Sequence, residues 1–208
     1  MGIKASTIIA KAQTLLGDTD ETGIQYLVAD LKKYLNEGQI EIVKIDPQAN
    51  PTRESVLLAA GTKQSLPANS LGLIKPVRNM GPDGTTDGEI VRMISRKVLD
   101  ELYPGWHTAT AKTTTKYVIY DPRVSRDTFD IYPPATSSVT QYLEIIHGEL
   151  PDTITDFNNT DIIHDRYDAD LVDYILYRAK SMHAEYAAAG GEAVAHLAKF
   201  ETSVKSKM

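Results

Sequence analysis

The segment DIIHDRYDAD, residues 161–170, contains three side chains whose types and spacing suit acid–base or metal chemistry. His164, Asp165 and Asp168 lie within five positions of one another. His164 and Asp168 are four residues apart, so on a helix they share a face and can offer an imidazole nitrogen and a carboxylate oxygen to one metal ion. One hypothesis is therefore a metal-dependent hydrolase that uses these three residues.

The remaining sequence does not complete such a site. A catalytic zinc usually takes three protein ligands, and the other four histidines form no HExxH or HxH arrangement. There is also no Walker A loop, no GxSxG and no GxGxxG after a strand. Asp161 and Asp165 have a structural interpretation, because carboxylates at a helix start interact favourably with the helix dipole by about 0.3–1 kcal/mol each. We predict a protein that is not an enzyme, with no catalytic residues, metal or cofactor.

Composition narrows the class of protein further. Of 208 residues, 42% are hydrophobic and 24% are charged, which is enough for a core in one globular unit or two small ones. Cysteine is absent, so disulfides, thiolate metal sites and cysteine nucleophiles are excluded. The net charge of −6 argues against tight binding of duplex DNA, which needs clustered Lys and Arg. No apolar run approaches the ~18 residues of a membrane span and the N-terminus does not resemble a secretory signal, so we expect a cytosolic setting or a particle assembled there.

The first fifty residues have helical periodicity, and two helices are predicted there. The apolar positions of the first helix form one stripe, as do those of the second, and we expect the pair to form an antiparallel hairpin. The stripe of the first helix consists of Ile8, Ile9, Ala12, Leu15 and Leu16. The predicted boundaries are Ser6 as N-cap and Gly17 as C-cap of the first helix, Thr22 with Gln25 as capping box of the second, and Pro47 as its stop.

The pattern changes to strands between residues 51 and 150. Short β-branched and aromatic runs bounded by turn formers predict an antiparallel sheet or small sandwich. These runs are RESVLLAAGTKQSLP, KYVIYDP, DTFDIYPP and VTQYLEIIHG. The predicted hairpin joins Tyr117–Tyr120 to Thr128–Tyr132 through a turn at Asp121-Pro122, and its second strand should end at Pro133 and Pro134.

Two features should interrupt these strands. Ile94, Val98 and Leu102 lie at helical spacing, which predicts a short helix that ends at Pro104-Gly105, with Trp106 as the anchor of the following turn. The tract MGPDGTTDG, residues 80–88, has no apolar anchor and should be a mobile exposed loop.

Helical periodicity returns at about Asp161. The apolar face of this helix, expected to be the longest, is formed by Val172, Ile175, Leu176, Ala179, Met182 and Tyr186. Gly190-Gly191 should interrupt it, since each glycine costs roughly 1 kcal/mol relative to alanine in a helix. A last helix follows, marked by Val194, Leu197, Phe200 and Val204. The order of helices, sheet and helices predicts an α+β fold with segments 1–50, 51–150 and 151–208.

Several stretches, in order along nearly the whole chain, resemble the head-to-tail adaptor proteins of tailed bacteriophages, also called connector or head-completion proteins. The stretches are LLGDTDETGIQYLVADLKKYLNEGQIEIVKIDPQA, GTKQSLP, VLDELYPGWHTA, YVIYDPRVSRDTFDIYPP and DLVDYILYRAKSMHAEY. The sequence pattern agrees with such a protein, because helices from both ends can close into one discontinuous bundle with an antiparallel β lobe inserted between them.

The resemblance implies a structural virion protein of the head–tail neck, assembled in the host cytoplasm. It implies a ring, typically of twelve copies, that binds under the portal protein, extends the DNA channel and presents a surface to a tail or tail-nozzle protein. Other copies of the chain are then partners too, and genomic DNA passes without sequence-specific binding. Such a ring would have roughly −72 charges, which repel DNA phosphates.

The resemblance, together with an apolar stripe that ends in basic residues, predicts that the final helix contacts the portal. The residues assigned to this contact are Phe200, Val204, Lys205 and Lys207. A related alternative is a tail-completion protein that caps the tail tube, and the sequence does not separate the two roles.

Overall fold

Helices from the two ends of the chain and strands from its middle form separate units. The computed structural model describes residues 4–20, 25–158, 162–182 and 187–208. The chain divides into a helical unit, Met1–Asn50 with Pro151–Met208, and a β unit, Pro51–Leu150. The α+β prediction is confirmed. In the part of the chain described, no helix is long and apolar enough to cross a membrane.

The described elements are five helices and eight strands. The helices are α1 (Ala5–Leu16), α2 (Val28–Ile45), α3 (Arg96–Leu102), α4 (Asp168–Ser181) and α5 (Ala187–Ser206). The strands are β1 (Pro51–Leu57), β2 (Gly61–Ser65), β3 (Ser70–Met80), β4 (Asp87–Ile90), β5 (Arg92–Met93), β6 (Tyr117–Ile119), β7 (Thr128–Ala135) and β8 (Tyr142–Glu149). Short 3₁₀ helices occur at Pro47–Ala49, Trp106–Thr108 and Asp165–Tyr167.

Helix α1 ends as predicted but begins differently. Gly17 adopts a left-handed conformation with φ of 71°, which closes the C-terminus of α1. The predicted N-cap, Ser6, is wrong, because the cap position is Lys4 and no side chain caps the helix. The Ser6 amide instead donates to the carbonyl of Phe157 at 2.8 Å, a contact distant in sequence. A tertiary hydrogen bond thus replaces the local cap.

Helix α2 begins later than the capping-box pattern suggests. Thr22 lies outside the described residues, and Gln25 precedes the helix, which starts at Val28. The amides of Gln25 and Tyr26 both donate to Oδ2 of Asp18 at 2.7 Å, so this aspartate organises the approach to the helix. Pro47 ends the helical run as predicted and opens a 3₁₀ turn.

Helices α4 and α5 differ from prediction in length and in where the chain breaks. Helix α5 has 20 residues and α4 has 14, so α4 is not the longest helix. Gly190 and Gly191 lie inside α5 and do not interrupt it. The cost of two glycines is modest, and packing of α5 on α4 outweighs it. Helices α1, α2 and α5 all pack against α4, whose Leu171 and Ile175 are fully buried at the centre of the helical unit.

The β unit consists of two four-stranded sheets around one core. The first sheet, in the order β1-β8-β3-β4, is antiparallel throughout. The second, in the order β2-β7-β6-β5, ends in a parallel β5–β6 pair. Alternate residues of both sheets point inward, and the core between them includes Phe129, Ile131, Leu143 and Ile145.

The predicted hairpin is present as β6 and β7, but its second strand continues through both prolines. Proline lacks only the amide donor, so its carbonyl still accepts hydrogen bonds. The Lys112 amide donates to the carbonyl of Pro134 at 2.9 Å, and β7 runs on to Ala135. The prediction that Pro133 and Pro134 end the strand is therefore wrong.

Strand β3, with 11 residues, is the longest in the described chain and was not predicted. Its pairing with β8 contains several register shifts, which disturb the alternation that identifies a strand in sequence. The MGPDGTTDG tract that follows is a hydrogen-bonded turn into β4, where a loop without fixed structure was expected. The Gly81 amide donates to the Thr86 carbonyl at 2.7 Å, and the Asp83 carboxylate accepts from the Thr85 and Thr86 amides at 3.0 Å.

The short helix inserted among the strands is confirmed as α3. Ser95 caps it, and the buried residue of the helix is Leu99, whereas Val98 and Leu102 are exposed. Trp106 is buried directly after the helix and its indole N–H donates to Asp100 Oδ1 at 2.7 Å. This bond fixes the turn to the end of α3.

Candidate functional site

The residues of the metal hypothesis lie where the chain enters α4, and two of them have structural partners. His164 Nδ1 accepts a hydrogen bond from the Arg166 amide at 3.1 Å, so the imidazole caps the 3₁₀ turn. Asp168 Oδ2 lies 2.7 Å from Lys11 Nζ of α1, and this hydrogen bond holds the pKa of Asp168 below its usual range. Asp165 is exposed. Within the ranges the structure describes, no group of three or more His, Asp or Glu residues could hold a metal ion.

Tyr167, between His164 and Asp168 in the chain, joins the end of α2 to the start of α4. Its ring is fully buried, and its hydroxyl donates to Asp46 Oδ2 at 2.7 Å. Arg166 lies 3.1 Å from the same carboxylate oxygen and stacks above the Tyr167 ring at 4.7 Å. Burial and the hydrogen bond to Asp46 raise the pKa of Tyr167 to about 12. The hydroxyl therefore stays a neutral donor at physiological pH.

Lys207, one of the predicted portal residues, is engaged within the helical unit. Its ammonium forms an ion pair with Asp170, whose side chain is 1% exposed, and donates to the carbonyl of Arg166 at 2.8 Å. It also lies 5.3 Å from the centroid of the Tyr167 ring. A buried carboxylate needs such a partner, because an isolated charge is costly to remove from water. Lys207 thus fastens the end of α5 to the start of α4.

Further ion pairs connect α4 and α5 along their length. Asp173 of α4 is 2.8 Å from Lys199 Nζ and 3.0 Å from His196 Nδ1. Lys180, nearer the C-terminus of α4, pairs with Glu192. Residues further along α4 pair with residues nearer the start of α5, as expected for two antiparallel helices.

The predicted portal residues divide into two groups. Phe200 and Val204 are 2% and 0% exposed, and the Phe200 ring centroid lies 5.1 Å from that of Tyr174 in α4. An apolar stripe on an outer helix is what attaches the helix to its own unit, so these two side chains do not face a partner. Lys205 is exposed and lies 3.3 Å from Glu201. Portal contact by α5 remains a prediction, and its surface residue is Lys205.

An open groove of about 440 Å³ lies between α1, α4 and α5. The lining residues are Lys11, Thr14, Leu15, Asp168, Ala169, Val172, Asp173 and Lys199. Leu15 is 63% exposed on its rim, although periodicity assigned this leucine to the buried stripe of α1. Sequence alone did not reveal the groove, because its walls come from three helices distant in the chain.

Charge is distributed unequally between the two units. The segments of the helical unit contain 11 Lys and Arg residues against 17 Asp and Glu residues, a net of −6, whereas the β unit contains 11 of each. The net charge of −6 therefore comes entirely from the helical unit, because the charges of the β unit cancel. A surface of this sign repels nucleic acid and attracts basic partners.

Comparison of the sequence with known proteins gives one family match. No curated protein matches the chain at a significant level. The sequence model of one family, described as SU10 adaptor protein, matches residues 3–207, which include both units and every helix and strand described above. The chain belongs to the SU10 adaptor protein family, a family of phage head-to-tail adaptors.

Proposed function

We propose that this adaptor is a non-enzymatic ring of about twelve copies that binds under the portal, extends the DNA channel and provides the surface to which the tail attaches. The match to the adaptor family over residues 3–207 is the observation on which the proposal depends. The portal and tail proteins, further copies of the chain and passing DNA are its partners. Its location is the neck of the virion, and assembly occurs in the host cytoplasm.

The charge distribution supports a conduit role. With a net of −6 in each helical unit, twelve copies would place roughly −72 charges around the ring. Such a ring repels DNA phosphates and has few clustered Lys and Arg residues to bind them, so DNA can pass without being held.

The internal contacts of DIIHDRYDAD support a structural role for that segment. His164 caps a turn, and Asp168 and Asp170 connect α4 to α1 and α5. These contacts give the acidic side chains a function in holding the bundle together.

The proposed portal contact is the exposed face of α5, represented by Lys205. A deletion of residues 198–208 is a poor test, because it also removes the core residues Phe200 and Val204. Lys205→Glu changes the surface alone. Binding of the purified chain to portal rings, measured by co-sedimentation, should fall at least fivefold for this variant. The matched control, Lys97→Glu, reverses an exposed lysine of α3 and should bind like the wild type. Equal binding by both variants would refute contact through α5, and binding to tail tubes in place of portals would indicate the tail-completion role.

A further inference from the structure

The sheet β1-β8-β3-β4 has two open edges. In the described part of the chain β1 is hydrogen-bonded only to β8, and β4 only to β3. The edge strand β1 has seven residues, with Arg53, Glu54 and Leu57 exposed. All four residues of β4 are exposed. Unpaired amide and carbonyl groups along such edges are ready to pair with another strand.

The directions of the two edges suit repeated pairing between copies. Each neighbouring pair in this sheet is antiparallel, so across four strands β1 and β4 run in opposite directions. A copy related by rotation about a ring axis can therefore place its β1 beside β4 of the preceding copy, and the sheet continues antiparallel. The second sheet lacks this property, because its β5–β6 pair is parallel and β5 has only two residues.

Each edge also presents one large apolar side chain that the isolated chain leaves in water. Leu57 of β1 is 62% exposed and Ile90 of β4 is 77% exposed. Residues directly opposite in a ladder share a face, and the register links Leu57 to Tyr142 and Met80 in one row. The adjacent row contains Ser55, Glu144, Arg78 and Ile90, so both apolar side chains lie on the same outer face.

Four charged side chains on this outer face pair with one another within the sheet. Arg53 of β1 lies 2.7 Å from Glu144 of β8, and Arg78 of β3 lies 3.0 Å from the same carboxylate and also pairs with Asp87 of β4. The hydrogen bond from Arg53 lowers the pKa of Glu144. Because these side chains are occupied with one another, they do not protect the edges as free edge charges would.

We propose that β4 of one copy pairs with β1 of the next, so that the first sheet continues from copy to copy around the ring. This inference rests on the proposed ring. If the sheet continues without stagger, Ile90 lies opposite Ser55 of the next copy and diagonal to its Leu57, within reach of apolar contact. Two different surfaces of each copy then meet, which is the head-to-tail interface that a closed ring requires.

Cysteine cross-linking tests the pairing directly, because the natural chain contains no cysteine. The variant Ser55→Cys/Ile90→Cys has one thiol on each edge, and a short bismaleimide is added after assembly on portal rings. The expected product is a ladder of covalent multimers that extends to the closed ring. Ser55→Cys or Ile90→Cys alone should remain monomeric on denaturing gels. The control Val98→Cys/Val124→Cys has two exposed thiols in the β unit but away from these edges, and should give no ladder.

Every other outcome of the cross-linking experiment overturns a stated part of the proposal. Rings seen by electron microscopy whose subunits stay monomeric on the gel would overturn the edge pairing and leave the ring function intact. A covalent dimer from Ser55→Cys alone would indicate two-fold β1–β1 pairing and overturn the head-to-tail arrangement, as would a ladder of equal strength from the control. Absence of any ring on the portal would overturn the proposed function, and the inference with it.

A charge on the edge provides a second test. Ile90→Lys should reduce the number of rings on portals at least tenfold, because pairing would bury the new ammonium, while thermal unfolding of the unassembled chain stays unchanged at so exposed a position. Val124→Lys, at an exposed turn of the same unit, should assemble normally. Normal assembly of Ile90→Lys would contradict the proposal.

Discussion

At the scale of single residues, the ion pair between Lys207 and Asp170 has the most deeply buried carboxylate of the ion pairs among the described residues. Lys207→Ala leaves the buried Asp170 carboxylate without its ammonium partner. We expect a loss of about 2–4 kcal/mol in the free energy of unfolding, measured by urea denaturation. Lys205→Ala, two residues earlier, removes an exposed pair with Glu201 and should cost less than about 1 kcal/mol. Equal effects of the two substitutions would show that Lys207 does not stabilise the buried charge.

Sequence could indicate the type of these residues but not their partners. An acidic helix start was predicted from Asp161 and Asp165, since local position alone decides it. Asp165 lies in the 3₁₀ turn that leads into α4, and Asp161 lies outside the described residues. The roles of His164 and Lys207 were not predictable. Lys207 contacts Asp170, 37 positions away, and the bundle must form before the two meet. Apolar periodicity assigned Phe200 and Val204 to a face correctly, but it could not say whether that face meets a partner or the protein itself.

At the scale of elements, the glycines inside α5 give a clear expectation. An added Cβ at Gly191 would meet no atom within 4 Å, and its backbone is helical. Gly191→Ala should therefore stabilise the helical unit by about 0.5–1 kcal/mol, seen as a higher thermal midpoint. Gly38→Ala in α2 is the contrast, because its Cβ would lie 3.0 Å from Tyr174 Cδ1 and 3.2 Å from Leu171 Cδ2. A gain at Gly38 as large as that at Gly191 would contradict the close packing of α2 on α4.

The ion pair between α1 and α4 predicts an acid dependence of stability. Lys11 lowers the pKa of Asp168 below its unfolded value of about 3.9, so the carboxylate stabilises the fold above that pH and this contribution disappears as pH falls through the folded pKa. Lys11→Met should cost roughly 0.5–1 kcal/mol at pH 6 and make unfolding less dependent on pH below about 4. Urea denaturation from pH 6 to pH 2.5 measures both effects. Lys63→Met, an exposed lysine of β2, should leave the acid dependence unchanged.

Element boundaries show where local patterns were sufficient and where they were not. Gly17 and Pro47 end their helices as expected, because a left-handed residue and a missing amide act locally. Pro133 and Pro134 did not end β7, and the Lys112 amide of the neighbouring segment donates to the carbonyl of Pro134. Strand β3 was not predicted, because its bulges break the alternation of inward and outward residues that identifies a strand.

At the scale of the whole molecule, the α+β class followed from the order of helical and strand-like segments, and the adaptor family from motifs spread along the chain. The edges of the first sheet did not follow, because strand order is a tertiary property. In the proposed ring these edges connect neighbouring copies, the acidic helical units repel DNA, and α5 meets the portal.

Electron microscopy of the purified protein mixed with portal rings measures whether the proposed ring forms. We expect an additional ring of about twelve copies stacked on the tail-facing end of the portal, with an open central channel. Portal rings that remain bare at saturating adaptor, or an adaptor that binds only tail tubes, would refute the proposed function.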